Sequence, residues 1–261
     1  GLSWRVVNIE ALQENDLARA FKYFGKTPAE PLLYRGWLLH PEEYTRLAEA
    51  VQHRGGRLFT SPDAYRRALL FPEFYSAIAD HSIPATWVLG CEANRAIAAA
   101  REIGPPPYFI KDFAKSAKEI WPRGCVVRHE NEMADAIHDL REYRGDRFEG
   151  GIVIRPFVAL KPLGEHPFGG TLYEEFRLFF FKRKLISIST YDRSGGDPAS
   201  LPDYRFLGDR LDSPFFSADV VTAADGRRFI LECGDGGTSA LPPSVSPVVF
   251  YKAMLNAFVD D

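Results

Sequence analysis

The 261-residue sequence carries a formal net charge of −3, with 26% charged and 46% hydrophobic residues. Such a chain can bury a sizeable core as one large or two small domains, and it offers no global basic field to draw in nucleic acid or anionic lipid. No apolar run approaches the ~20 residues needed to cross a bilayer, and the opening "GLSWRVVNIE" lacks the charged and apolar blocks of a signal peptide. Three widely spaced cysteines, Cys91, Cys125 and Cys233, match neither a disulfide framework nor a zinc site, so free thiols in a reducing cytoplasm are expected.

From the N-terminus, "WRVV" reads as a short strand and "NDLARAFKYFG" as a helix capped by Asn15 or Asp16 and stopped by Gly25. "EPLLYRGWLL" is strand-like. "HPEEYTRLAEAVQHRGG" places Pro41 at a helix start, acids in the first turn and glycines at the end. "RLFT" reads as a strand, "SPDAYRRALL" as a helix with a Ser cap, "ATWVLG" as a strand and "EANRAIAAAREIG" as a helix. Alternation of strand and helix predicts a parallel α/β layer for residues 1–103.

"GPPP" at 104–107 is a stiff break, and the pattern changes after it. "YFIKDF", "CVVRH" and "GIVIRPFVAL" read as strands, with the loop "AKSAKEIWPRG" and the helix "NEMADAIHDLREYRG" between them. "EEFRLFFF" and "LISISTYD" form a hairpin across "KRK", and "FFSADVVTA" and "RRFILECG" form a second across "ADG". Residues 192–214 read as a long loop, and "SVSPVVFYKAMLNAFV" closes the chain as a helix. The second half is therefore α+β, with lobes expected at about 104–155 and 156–261.

Four groups of residues suggest chemistry. Asp219 and Glu232 fall roughly opposite each other across the second hairpin, and facing carboxylates repel unless a cation or proton lies between them. Glu232 also opens "ECGDGG", which sets Asp235 three residues on, inside a glycine-rich turn; paired hard oxygens at a strand end suit Mg²⁺. Lys111 lies within an apolar strand, and Lys115 and Lys118 follow among small residues, a combination able to wrap phosphates or to be a solvated loop. Glu175 and Arg177 share a strand face, where Arg177 either binds phosphate or pairs with Glu175. Arg35 stands beside Gly36 at an apolar strand end, and Pro156 breaks a strand just after Arg155. There is no Gly-x-x-x-x-Gly-Lys loop and no Lys-x-Asp-Gly nucleotidyl-lysine motif.

Taken in order, "YRGW", "FIKDFAKSAK", "EEFR" and "ECGDGG" resemble the ATP-grasp superfamily, and more narrowly its clade named for a pair of arginines and a lysine. The resemblance implies an N-terminal α/β domain and two α+β lobes gripping Mg-ATP. It implies ATP-dependent ligation of a carboxylate on a small molecule or peptide to an amine, through an acyl-phosphate, with release of ADP. By position it assigns Lys111, Lys115, Lys118 and Arg155 to ATP, and Phe157 and Val158 to the adenine pocket through their backbone. Arg177 and Lys118 take the catalytic roles and Asp219, Glu232 and Asp235 the Mg²⁺; apart from the resemblance, Arg35 or Tyr191 is expected at the substrate pocket. The usual Glu-x-Asn ending has Gly234 where the Asn belongs, and Asp235 is expected to supply the missing oxygen. The 192–214 loop is expected to form part of a lid. A nucleotide-binding module with a decayed site is the alternative.

Overall fold

The computed structural model describes residues 3–26, 30–165, 170–191 and 196–259. Its N-terminal region is built from helices α1 (Ile9–Gln13), α2 (Leu17–Ala20), α3 (Pro41–Gln52), α4 (Pro62–Leu69) and α5 (Phe71–Ile78). Local caps explain several starts. Asp16 accepts from the Arg19 N–H, and Ser61 accepts from Ala64 N–H with Pro62 at the first helical position. The parallel layer expected here is reduced to a single parallel bridge, Leu32 to Leu58; "WRVV" and "RLFT" form no strand. Val7 and Leu58 pack instead around Leu12, Phe21, Tyr44, Leu47 and Tyr65, a core made by helix faces, while Trp4 and Val6 are exposed and Phe59 stacks on Phe181. Short apolar runs do not distinguish a strand from a segment laid across helices.

Strand β1 (Thr86–Leu89) and helix α6 (Ala93–Glu102) precede the break at Gly104 but pack with the strands beyond it. The first sheet has the order β1, β4 (Gly151–Pro156), β2 (Tyr108–Asp112), β3 (Val126–Val127), and all of its pairs are antiparallel. Alternation along β2 and β4 divides the side chains. Tyr108, Ile110, Ile152 and Ile154 join α6 and α7 (Met133–Arg144) in one core. Lys111 pairs with Val153, and Phe109 with Arg155; of this second set Val153 joins the other core, beside Phe71 and Phe74.

A small hairpin, β5 (Pro162–Glu165) with β6 (Thr171–Tyr173), leads into the second sheet. That sheet runs β10 (Arg228–Asp235), β9 (Phe215–Thr222), β7 (Glu175–Phe181), β8 (Lys184–Thr190), antiparallel throughout. One face carries Phe176, Leu178, Phe180, Phe216, Ala218 and Val220 against α5 and α8 (Leu207–Arg210). The other face has two parts. Phe179, Phe181 and Phe215 lie under Phe250 and Met254 of α9 (Pro247–Val259), while Glu175, Arg177, Asp219 and Glu232 lie beyond the helix.

The expectation that 192–214 forms part of a lid fails for residues 204–211, which are anchored in the core. Tyr204, Leu207 and Leu211 are buried in the core beside Phe71 and Phe74. Gly208 sits so close to the β7–β8 turn that a Cβ would meet Arg183 O at 1.8 Å. Residues 192–195 of that segment lie outside the described residues. No described helix is long and apolar enough to cross a membrane, and all three cysteines are free.

Candidate functional site

The site lies where the polar end of the second sheet meets β2 and β4 of the first. The β9–β10 register places Glu232 directly across from Asp219: spacing from the turn alone would put Leu231 there, and a bulge between Ile230 and Glu232 shifts the pairing by one. On the neighbouring strand Arg177 pairs with Asp219 on the other side. It donates through Nε to Asp219 Oδ1 at 2.8 Å and through Nη2 to Oδ2 at 2.7 Å, a bidentate contact, and through Nη1 to Ala240 O at 3.0 Å. Burial works against its charge, but Asp219 more than compensates and raises its pKa. Tyr191 lies under the same guanidinium, 4.4 Å from the ring centre, and Lys118 Nζ is 6.0 Å from that ring.

Lys111 reaches across from the first sheet. Its Nζ is 3.2 Å from Glu232 Oε2 and donates to Ala114 O at 3.2 Å. Lys115 Nζ stands 3.8 Å from the other Glu232 oxygen. Burial lowers the Lys111 pKa; Glu232 opposes that and Arg155 adds to it. Burial would raise the Glu232 carboxyl, but Lys111 and Lys115 overcome it and hold the group well below the usual carboxylate range. The turn that aims these lysines is organised by Asp112, which is fully buried. Its Oδ1 accepts from the Ala114 and Lys115 N–H groups, and its Oδ2 accepts from Arg144 Nε at 2.7 Å.

Arg155, 2% exposed, points toward the same cleft, and its Nε and Nη2 have no hydrogen-bond partner among the described residues. Its guanidinium carbon lies 4.5 Å from the Phe71 ring centre, and burial pulls its pKa down to about 10. A buried guanidinium with unspent donors is costly unless an anion meets it. After β4, Phe157 N donates to Pro107 O at 2.9 Å, so its N–H is not available to a base edge. The Val158 N–H and C=O have no partner among the described residues.

Two expectations are corrected. Asp235 does not join Glu232: it pairs with Phe216 whereas Glu232 pairs with Asp219, and three steps along a strand reverse the side-chain direction. Its carboxyl instead lies 1% exposed among Tyr34, Tyr44 and Tyr65, with Oδ1 accepting from Thr238 N at 3.1 Å and Oδ2 unpartnered. Burial pushes it up to about 7, against the Gly237 and Thr238 N–H groups and Arg35. The glycines serve close approach rather than a turn toward metal. A Cβ on Gly237 would meet Tyr34 O at 2.4 Å, and one on Gly236 would meet the Phe215 ring at 2.6 Å. Arg35 locks this junction, donating through Nη1 to Gly236 O and, at 3.2 Å, to Ser239 O.

Glu175 is the residue whose weight the sequence did not reveal. It shares the Arg177 face, and burial, with Asp219 and Glu232 adding to it, pushes its pKa up to about 8. The acid-x-Arg spacing in "EEFR" was the available signal. Among the described residues no three acid, His or Cys groups converge as a ready-made metal site. Two facing carboxylates beside unspent cations suit Mg²⁺ carried with phosphates, since that ion takes one or two carboxylates and completes its shell with phosphate oxygens and water. Two cavities elsewhere, about 350 Å³ near His81 and Arg228 and about 360 Å³ near His40 and Arg144, are lined by none of Lys111, Arg177, Asp219 or Glu232.

Comparison with known proteins identifies the family and the fold. No curated protein matches the sequence. Among solved structures, the RimK domain protein ATP-grasp from Sphaerobacter thermophilus matches at TM-score 0.58 and 19% identity, over 98% of this chain and 97% of that one. D-cycloserine synthetase DcsG matches at TM-score 0.51 and 18% identity, over 83% and 78%. The N5-carboxyaminoimidazole synthetase from Staphylococcus aureus matches at TM-score 0.51 and 8% identity, over 90% and 58%. At these identities the likeness establishes the fold, an N-terminal α/β region followed by an ATP-grasp domain. The model for the ATP-grasp domain of family 3 in the clade named for two arginines and a lysine matches residues 102–254, more than half of the sequence, and the chain belongs to that family.

Proposed function

We propose that the protein is an ATP-dependent ligase that joins a carboxylate, on a small molecule or peptide, to an amine and releases ADP and phosphate. The observation that carries this is the meeting of Lys111 and Glu232 across the two lobes, beside the Arg177–Asp219 pair and the unpartnered Arg155. Membership of the ATP-grasp superfamily, whose usual activity is ATP-dependent ligation, supports it.

In this reading Lys111, Lys115, Lys118 and Arg155 hold the ATP phosphates. A polyphosphate entering the cleft would take over lysines now spent on Glu232. The exposed side of Phe157 and the free backbone groups of Val158 line the adenine pocket. Asp219 and Glu232 would hold Mg²⁺, which when bound supplies charge neutralisation at the γ-phosphate. Arg177, fixed by Asp219 and Ala240 O, faces charge that spreads over the transferring phosphoryl group. Attack by the substrate carboxylate oxygen on the γ-phosphorus breaks the bond to ADP. The resulting acyl-phosphate gives the amine a carbonyl carbon with phosphate as leaving group. Arg35 and Tyr191 border the substrate side, and the free thiols fit a reducing cytoplasm.

The alternative, a nucleotide-binding module without turnover, draws on the absence of Asp235 from the cleft. Incubation with Mg-ATP, hydroxylamine and pools of amino acids and short peptides distinguishes the two. Hydroxamates with ADP and phosphate are expected. AMP as the main nucleotide product refutes the acyl-phosphate route, and ATP binding without turnover across the pools favours the module.

A further inference from the structure

Gly234 stands where the superfamily's usual ending has Asn, and Asp235 points to the other face of β10. The space beside Gly234 is nevertheless filled. A Cβ there would meet Ser239 Oγ at 3.2 Å and Ser217 Oγ at 3.4 Å. Two hydroxyls, one from β9 and one from the turn after β10, thus converge where a side chain at 234 would project. They lie 2.7 Å apart. Ser239 Oγ donates to Asp235 O at 2.8 Å, so the proton between the two hydroxyls comes from Ser217. A hydroxyl has one proton and two lone pairs. Ser217 Oγ spends its proton on Ser239, and among the described residues no donor reaches its lone pairs. It is 3% exposed, with Ser239 as its hydrogen-bond partner and its lone pairs left over. Ser217 pairs with Gly234 and precedes Asp219 by two residues, so its oxygen is the next one along the Asp219 face.

We infer that the Ser217–Ser239 hydroxyl pair replaces the missing amide at position 234 and supplies a neutral oxygen to the divalent cation on the Glu232 side of the cleft. The inference rests on the Mg-ATP reading of the cleft. A hydroxyl and an amide carbonyl are both hard, uncharged oxygen donors, so the exchange preserves the charge of the site. It also accounts for Gly at 234: a Cβ there would press on both hydroxyls, at 3.2 and 3.4 Å.

The test measures cation binding without turnover. Mn²⁺ is titrated into the full chain with a non-hydrolysable ATP analogue and followed by electron paramagnetic resonance. Ser217→Ala and the double variant Ser217→Ala/Ser239→Ala should weaken Mn²⁺ binding roughly tenfold or more. Metal-free binding of the analogue and the thermal midpoint should stay near wild type. Adding Gly234→Asn to the double variant, where both hydroxyls have left the path of its Cβ, should restore the cation. Unchanged Mn²⁺ affinity in the double variant overturns the inference and leaves the Mg-ATP reading standing. Failure of the wild-type protein to bind the analogue with any divalent cation overturns both. If the double variant loses metal-free analogue binding and melts early, the pair is an architectural tie of the turn, and the inference is likewise overturned.

Discussion

Replacing Asp235 with Asn should remove a pH dependence of stability that burial of this carboxyl creates. Asp235 is 1% exposed, and burial raises its pKa from 3.8 to about 7 although two backbone N–H groups and Arg35 pull the other way. In the unfolded chain the group loses its proton near its ordinary value; in the folded chain it holds the proton until about pH 7. Between those values the folded state binds the extra proton. The stability this contributes is complete below about pH 4 and is lost as pH rises through 7. At about 1.4 kcal/mol per unit, the displacement from 3.8 to about 7 corresponds to up to about 4 kcal/mol. Glu175, raised from 4.5 to about 8, acts in the same direction, so the decline of the wild-type protein alone is not diagnostic. The difference between wild type and variant isolates Asp235. The Asn carbonyl can keep the contact from Thr238 N. Near pH 5 the variant should lead by only about 2 kcal/mol, and by pH 8 by about 4 kcal/mol. Urea unfolding at pH 5, 6, 7 and 8, without nucleotide or divalent cation, measures this. A stability difference that stays constant across the series would refute the reasoning.

Lys111→Ala should weaken ATP binding about tenfold or more, since a charge-assisted phosphate contact is worth ~1.5–3 kcal/mol, whereas Lys252→Ala on the exposed side of α9 should have no effect; equal effects in calorimetry would make Lys111 structural. Glu232→Gln should abolish the gain in ATP affinity that Mg²⁺ confers, and unchanged titrations with and without the cation would refute its role as a ligand. Arg177→Ala should depress the rate at saturating ATP far more than the affinity, because a group aimed at developing charge acts on the transition state; the opposite pattern in steady-state kinetics would make it a binding residue. Gly151→Ala should lower the unfolding midpoint sharply, because its Cβ would lie 2.0 Å from Val88 O where β1 and β4 pair.

Much of the cleft was legible in one dimension because it is built from short-range rules. A hairpin with a tight turn fixes its own register to within a residue, so counting back from "ADG" set Asp219 and Glu232 roughly opposite each other, and the bulge after Ile230 supplied the last step. A lysine inside the apolar run "YFIKDF" has to reach a partner, and Lys111 does so. Helix caps at Asp16 and Ser61 are local hydrogen bonds and were readable for the same reason. Tertiary structure decided the rest. Period-two alternation puts Glu232 and Asp235 on opposite faces, and the bulge lies before Glu232 rather than between the two acids, so the glycines could not bring Asp235 round. Those glycines answer to Tyr34 and Phe215, residues far away in sequence, and no local pattern reveals such close approach. The helical packing of the N-terminal region and the anchoring of Tyr204, Leu207 and Leu211 are likewise properties of what each apolar side chain meets. The convergence of Ser217 and Ser239 over Gly234 joins two elements through a space that exists only once the sheet and its following turn have folded.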